Sequence, residues 1–370
     1  MKKIIVTAIL ILVFALPVCA QENLYQNQLE NSGAKELEKI LPEGAKDIFD
    51  DLEIDIKNPN IADKITVQSI FKIISNFIKN GGKIPARTGL CVLALIIIAA
   101  AFSSLGAGGE ISETAELACT AAVAVSLLIP VYNFVGSTAS AMKGAGVFMT
   151  GFVPIFAGIV TMSGAVGTST VSSVTLLAAA QGLTWFSAFG VVPVMCAYLA
   201  VSGCCAVSPL MGKTGISESV KKLAMWVLSL ILTVFSGVMS LQTMLSGAAD
   251  SMALRTGKFL IGSALPLGGS AIGEAVSTLV GSMGVLKNTV GIYAIMAVAV
   301  CVIPLCIELL LYRFWLFVSG SAAALFGQTR ITSVIKAADS VLSVLVSLIL
   351  FTAALFIICI IIVVKAGVAA

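Results

Sequence analysis

Two carboxylates stand inside apolar sequence, Glu274 and Glu308. An acid in such a setting can hold a cation, relay a proton or pair with a buried base. Basic and amide groups flank the first of them. Asp250, Arg255 and Lys258 precede Glu274, and Lys287 and Asn288 follow it. Arg313 follows Glu308 by five positions, next to Tyr312. Glu308 therefore has a plainer reading as an acid that reaches for a membrane interface beside Tyr312 and Arg313. For Glu274, a buried partner, a wet cavity and an interfacial position all remain open.

Histidine is absent, which removes the commonest general base and the commonest metal ligand. Eight of the nine cysteines, all but Cys19, lie in apolar segments at spacings that match no zinc or redox motif. They read as small buried hydrophobes. Gly212, Lys213 and Thr214 look like the end of a phosphate-binding loop, but Val207 stands where that loop requires its first glycine. There is no GxSxG or HExxH. The residues give no catalytic, cofactor or metal site, and the expectation is a protein that is not an enzyme.

The elements that must position these groups are apolar to an extreme. Between Lys143 and Lys213 run sixty-nine residues without an Asp, Glu, Lys or Arg. A charge at mid-bilayer costs about 2.5–3.5 kcal/mol on insertion scales, so lipid favours such a run and water does not. Mean hydropathy is +1.06, and only 11% of residues are charged. The net charge of +3 is weak and dispersed, with no basic cluster to bind nucleic acid.

The fold class that follows is all-α: a polytopic helical membrane protein with a small N-terminal extracytoplasmic helical domain. Residues 1–20 read as a signal peptide. Lys2 and Lys3 precede an apolar stretch from Ile4 to Leu16, and Val18-Cys19-Ala20 offers a cleavage site. Residues 21–87 carry eleven acids and nine bases and form the polar domain. Within it, Val67, Ile70, Phe71, Ile74, Phe77 and Ile78 repeat at helical spacing, which predicts an amphipathic helix over 66–80 ended by Gly81-Gly82. That helix either closes a small core or lies in the membrane interface to dock a partner.

Residues 88–370 form a multi-pass domain of about eight crossings: Gly89–Leu105, Leu117–Ala141, Val147–Val166, Thr170–Ala188, Val191–Ala206, Leu223–Ser246, Thr289–Leu311 and Val341–Val364. Residues 259–286 read as a broken crossing or a re-entrant pair. Residues 314–326 read as re-entrant or as a continuation of their neighbour. Lys365 points weakly to a cytoplasmic C-terminal end. Pro130, Pro154, Pro193, Pro266 and Pro304 sit inside apolar runs rich in glycine. They suit either plain helix packing or broken helices that line a path.

The stretch from Asp250 through Arg255-Thr-Gly-Lys258-Phe259, then Leu265-Pro266, then Leu286-Lys287-Asn288-Thr289-Val290-Gly291, resembles the stage III sporulation protein AE family of endospore-forming bacteria. The wider layout, with a leader, a Leu41-Pro42-Glu43 step and a polytopic region, is similar too. The resemblance implies a membrane subunit of the transenvelope channel or export complex between mother cell and forespore, needed for late forespore gene activity. It implies a place in the mother-cell (outer forespore) membrane. It also implies partners among the other stage III sporulation A operon proteins, including an ATPase, and stage II sporulation protein Q across the intermembrane space. Self-association and contact with membrane lipid are expected as well. On this reading Asp250, Arg255, Lys258, Glu274, Lys287 and Asn288 form a polar cluster, with Glu308 and Arg313 secondary. The alternative is a self-sufficient secondary transporter of a small solute or ion that uses Glu274 or Glu308. A passive scaffold is the third class.

Overall fold

In the computed structural model, the structure describes residues 25–41, 45–59, 61, 67–105, 110–163, 166–186, 193–197 and 269–366, with isolated positions between 222 and 252. The signal-peptide residues, the expected crossing 223–246 apart from isolated positions, and most of the crossing 191–206 lie outside the described residues. Among the described residues there is no strand.

The polar segment begins with a short helix over residues 25–31. A 3-10 turn at Ala34–Glu36 leads into α1 (Leu37–Ile40), and α2 (Ala45–Asp51) follows. The amphipathic helix α3 (Val67–Gly81) ends in the Gly81-Gly82 elbow as its stripe predicts. Five longer helices follow: α4 (Lys83–Leu105), α5 (Glu110–Met162), α6 (Val166–Phe186), α7 (Gly269–Leu325) and α8 (Thr329–Ala366). Spans apolar and long enough to cross a membrane lie in α4, α5, α7 and α8, so the chain is a multi-pass membrane protein.

Two features differ from the sequence reading, and a third decides between its alternatives. The expected crossings 117–141 and 147–166 form one helix, since α5 runs unbroken past Lys143 to Met162. A charge interrupts hydropathy but not the backbone hydrogen-bond ladder. Residues 314–325 take the second of their two readings and continue α7, because no breaker occurs before Gly327. There the helix closes in a Schellman motif. Gly327 takes a left-handed φ of 69°, the Gln328 N–H donates to the Ala323 carbonyl at 2.9 Å and the Gly327 N–H to Ala324 at 3.1 Å. Residues 269–286 are likewise continuous helix, while 259–268 lie outside the described residues. Pro130, Pro154 and Pro304 all sit within unbroken helices.

Close pairs fix how the helices run. Gln328 donates to Ser103 at 3.0 Å, and Arg330 lies 3.9 Å from Glu116. The α4–α5 and α7–α8 turns therefore share one end of the bundle. At the other end, Gln28 donates to Ser282 at 2.6 Å, Thr289 donates to the Pro59 carbonyl at 3.2 Å and Phe49 meets Tyr293 edge to face at 4.9 Å. Val364 of α8 presses on Gly291 at that same end. The end of α8 and the polar segment thus share one side. An outer domain at 21–87 and the cytoplasmic C-terminal end suggested by Lys365 cannot both hold.

At about 1.5 Å per residue, α5 and α7 are roughly 80–85 Å long, far more than the ~30 Å of a hydrocarbon core. Exposed large apolar side chains surround α4, with Ile84, Leu90 and Ile97 on α4, Ile129 on α5 and Phe314 and Phe317 on α7, and others lie farther along, among them Val147 and Met162 on α5, Val174 on α6 and Leu350 on α8. α7 is covered on one side by the polar segment, whose Asp47, Asp50, Asp51, Asp55 and Lys57 are exposed. Those charges exclude lipid from their surroundings. The bilayer includes α4 and the neighbouring 20 or so residues of α5, α7 and α8, and the charge-free ends of α5 and α8 are apolar enough to lie in lipid as well. The polar segment packs against the first part of α7.

The Tyr25 hydroxyl helps to hold that packing by donating to the Ile56 carbonyl at 2.7 Å. Burial pushes the Tyr25 phenol up from 10.0 to about 12, opposed by the nearby Thr289 hydroxyl and reinforced by Asp55. A group raised in this way gives its full contribution below pH 10 and loses it as pH climbs from 10 toward 12. Limited proteolysis of the purified protein is expected to expose residues 25–61 over that window. Tyr25→Phe should remove much of the pH step. Equal protection of both proteins at pH 12 would exclude this role.

Candidate functional site

Two places combine polar chemistry with unusual burial. The first is Lys287 on α7. It is fully buried, and its ammonium makes no hydrogen bond with the described residues. A buried, unpaired ammonium is strongly unfavourable, so this position holds a demand for an acceptor. The adjoining Thr289 is satisfied by Pro59 and by the Val285 carbonyl, and Asn288 faces outward. Gly291 allows α8 to approach, for a Cβ there would come within 2.5 Å of Val364. The Lys287–Gly291 stretch thus joins three layers: the polar segment, α7 and the end of α8.

The second is a cleft of about 840 Å³ between α3, α5 and α7, with Cys196 of the short described helix 193–197 on a further side. Glu308 lines it from α7, one turn beyond Pro304. Asn133, Ser137 and Ser140 line it from α5 at i, i+4 and i+7, which is one helix face. Phe77 and Gly81 close it from α3. Pro304 lacks an N–H, so the Val300 carbonyl one turn earlier loses its helical donor. Among the described residues, no lysine or arginine pairs with Glu308.

The expected polar cluster is only partly in view. Asp250, Arg255 and Lys258 lie outside the described residues. Glu274 lies on α7 thirteen residues before Lys287, so the two backbone positions are about 20 Å apart along the helix. Glu308 does not meet Arg313. The Arg313 Nε instead donates to Asp339 Oδ1 at 2.7 Å and an Nη to Oδ2 at 3.3 Å, a two-point bridge from α7 to α8. The sequence reading passed over Asp339. The signal was present, since it is an acid inside an apolar helix with no neighbouring base closer than Lys336. The Asn133, Ser137 and Ser140 face was legible by spacing as well.

The profile of the family described as Stage III sporulation protein AE matches residues 49–367. The match takes in α7 and the Lys287–Gly291 stretch, both ends of the Glu308 cleft, and the Arg313–Asp339 bridge. One curated relative, the Stage III sporulation protein AE of Bacillus subtilis (strain 168), is 34% identical over 89 residues. That alignment covers 24% of this chain and 22% of the relative's length. No solved structure matches the chain. With a family profile that extends over most of its length, through every membrane helix described above, the chain belongs to the stage III sporulation protein AE family.

Proposed function

We propose that this chain is a non-enzymatic membrane subunit of the transenvelope channel or export assembly that joins mother cell and forespore. Its place is the mother-cell (outer forespore) membrane, and its role is to support late gene activity in the forespore. Its partners are other stage III sporulation A operon proteins, an ATPase among them, and stage II sporulation protein Q across the intermembrane space. The observation that carries this reading is the family match over residues 49–367. The fold supports it with a polar segment packed against the long membrane helices. On this reading the polar segment and the end of α8 share the intermembrane space, where neighbouring subunits meet them. The two turns at the other end face the mother-cell cytoplasm.

The test uses spore-forming cells that carry the chain in place of their own family member. Deletion should abolish heat-resistant spores. Lys287→Met is expected to do the same with normal amounts of protein in the membrane. Methionine fills a similar volume and removes a buried charge, a change that is often neutral or stabilising for the fold. Arg255→Ala should act likewise. Normal spore yield on deletion would remove the sporulation role, and normal yield in both variants would remove the polar cluster.

A second reading draws on the Glu308 cleft. A carboxylate beside a proline-interrupted helix suits a secondary transporter. Gradient-driven uptake by the purified chain alone in liposomes would favour it over the assembly.

A further inference from the structure

The Glu308 cleft has the wrong chemistry for a metal ion and the right chemistry for an ammonium group. A hard metal cation needs several converging oxygens, usually with more than one carboxylate. Here Glu308 is the single acid in the described wall, and no group of three metal-binding side chains occurs among the described residues. The volume, about 840 Å³, lies in the range of sites for organic ligands and is far too large for a bare ion. Most of the lining is apolar, with Phe77 and Leu305 on opposite helices and Tyr132 at the mouth. Aromatic rings attract cations, and apolar walls take up a carbon body.

The polar groups complete the pattern. An ammonium has three N–H donors and no acceptor. Glu308 offers a charged acceptor. Asn133, Ser137 and Ser140 offer neutral ones from a single face of α5, and none of the three bonds another described side chain. The cleft also lies beside the end of α3, the last helix of the polar segment.

We infer that this cleft binds an alkylammonium. The ammonium donates to the Glu308 carboxylate and to the Asn133 and Ser137 oxygens, while the carbon chain lies against Phe77 and Leu305. The same chemistry is carried by an amine-bearing lipid headgroup and by a free small amine. The site stands apart from the sporulation role and does not require it.

Two probes on the purified full chain separate the sources. Native mass spectrometry from mixed micelles counts retained phosphatidylethanolamine against phosphatidylglycerol. Equilibrium dialysis with labelled hexylamine, in micelles free of amine lipid, reads the free amine. Saturable binding in at least one arm is expected, weakened about tenfold by Glu308→Gln, as for loss of one charge-assisted bond. Glu308→Asp keeps the charge and should retain part of the binding. Ser140→Leu narrows the cleft and should weaken binding without touching the carboxylate, which covers the case in which Glu308→Gln misfolds. Absence of saturable binding in both arms would overturn the assignment. So would equal binding by the wild type and both the Gln and Leu variants.

Discussion

Replacing Asp339 with alanine is expected to lower the amount of folded protein in the membrane severalfold, with Arg313→Ala close behind. The guanidinium and carboxylate meet through two hydrogen bonds, at 2.7 and 3.3 Å, and tie α7 to α8. Remove Asp339, and the Arg313 charge is left between two membrane helices without that partner. A lone arginine at the centre of a span costs about 2.5–3.5 kcal/mol on insertion scales. Both side chains are about a third exposed, at 30% and 37%. The expected loss is therefore smaller, about 1–3 kcal/mol. That is a fivefold to hundredfold fall in the ratio of folded to unfolded protein.

The double variant Arg313→Leu with Asp339→Leu distinguishes pairing from packing. It removes both charges together and should recover most of the lost abundance, since no unpaired charge remains. A double-mutant cycle on thermal midpoints in detergent measures the coupling, with about 0.5 kcal/mol or more expected for a pair in contact. A double variant that falls as far as the sum of the two singles would show that the bridge contributes nothing beyond its side-chain volume.

The bridge also shows what the sequence could and could not reveal. Local pattern was legible. The stripe from Val67 to Ile78 predicts α3, and Gly81-Gly82 ends it. Helix starts were less so. The hydropathy of the first crossing points to Gly89, yet α4 begins at Lys83. Pro85 falls in the first turn, where the missing N–H has no helical partner to lose, so it does not delay the start. In α5, Lys143 divides the apolar run for any hydropathy window, although the helix ignores it. The pairings were not legible at all. Arg313 finds Asp339 twenty-six residues on, and Glu308 finds the Asn133–Ser140 face more than 160 residues earlier. Only the antiparallel register of α5 and α8 against α7 brings these groups together, and register is written in distant packing rather than in spacing. The part of the expected cluster at Asp250, Arg255 and Lys258 lies outside the described residues. The family resemblance, by contrast, was carried by short motifs that need no fold to be recognised.

Gly89→Ala tests that register at its tightest point. A Cβ on Gly89 would lie 2.6 Å from the Trp315 ring and 2.8 Å from the Trp315 Cβ. Ring atoms could swing aside, but a Cβ is fixed to its backbone, so relief requires α4 and α7 to separate. Overpacking of this kind costs about 1–3 kcal/mol. Separation would also disturb the hydroxyl of Ser319, which donates to the Gly89 carbonyl at 3.5 Å. The expected result is a clear drop in thermal midpoint for Gly89→Ala and no folded protein for Gly89→Leu. Gly136→Ala is the control, because a Cβ there meets nothing within 4 Å and the change favours the helix. Glycine lowers helix stability by about 1 kcal/mol relative to alanine, so Gly136→Ala should hold or raise the midpoint. A Gly89→Ala protein as stable as the Gly136→Ala control would mean that α4 does not lie against Trp315. The lipid band drawn around α4 would then have to move with it.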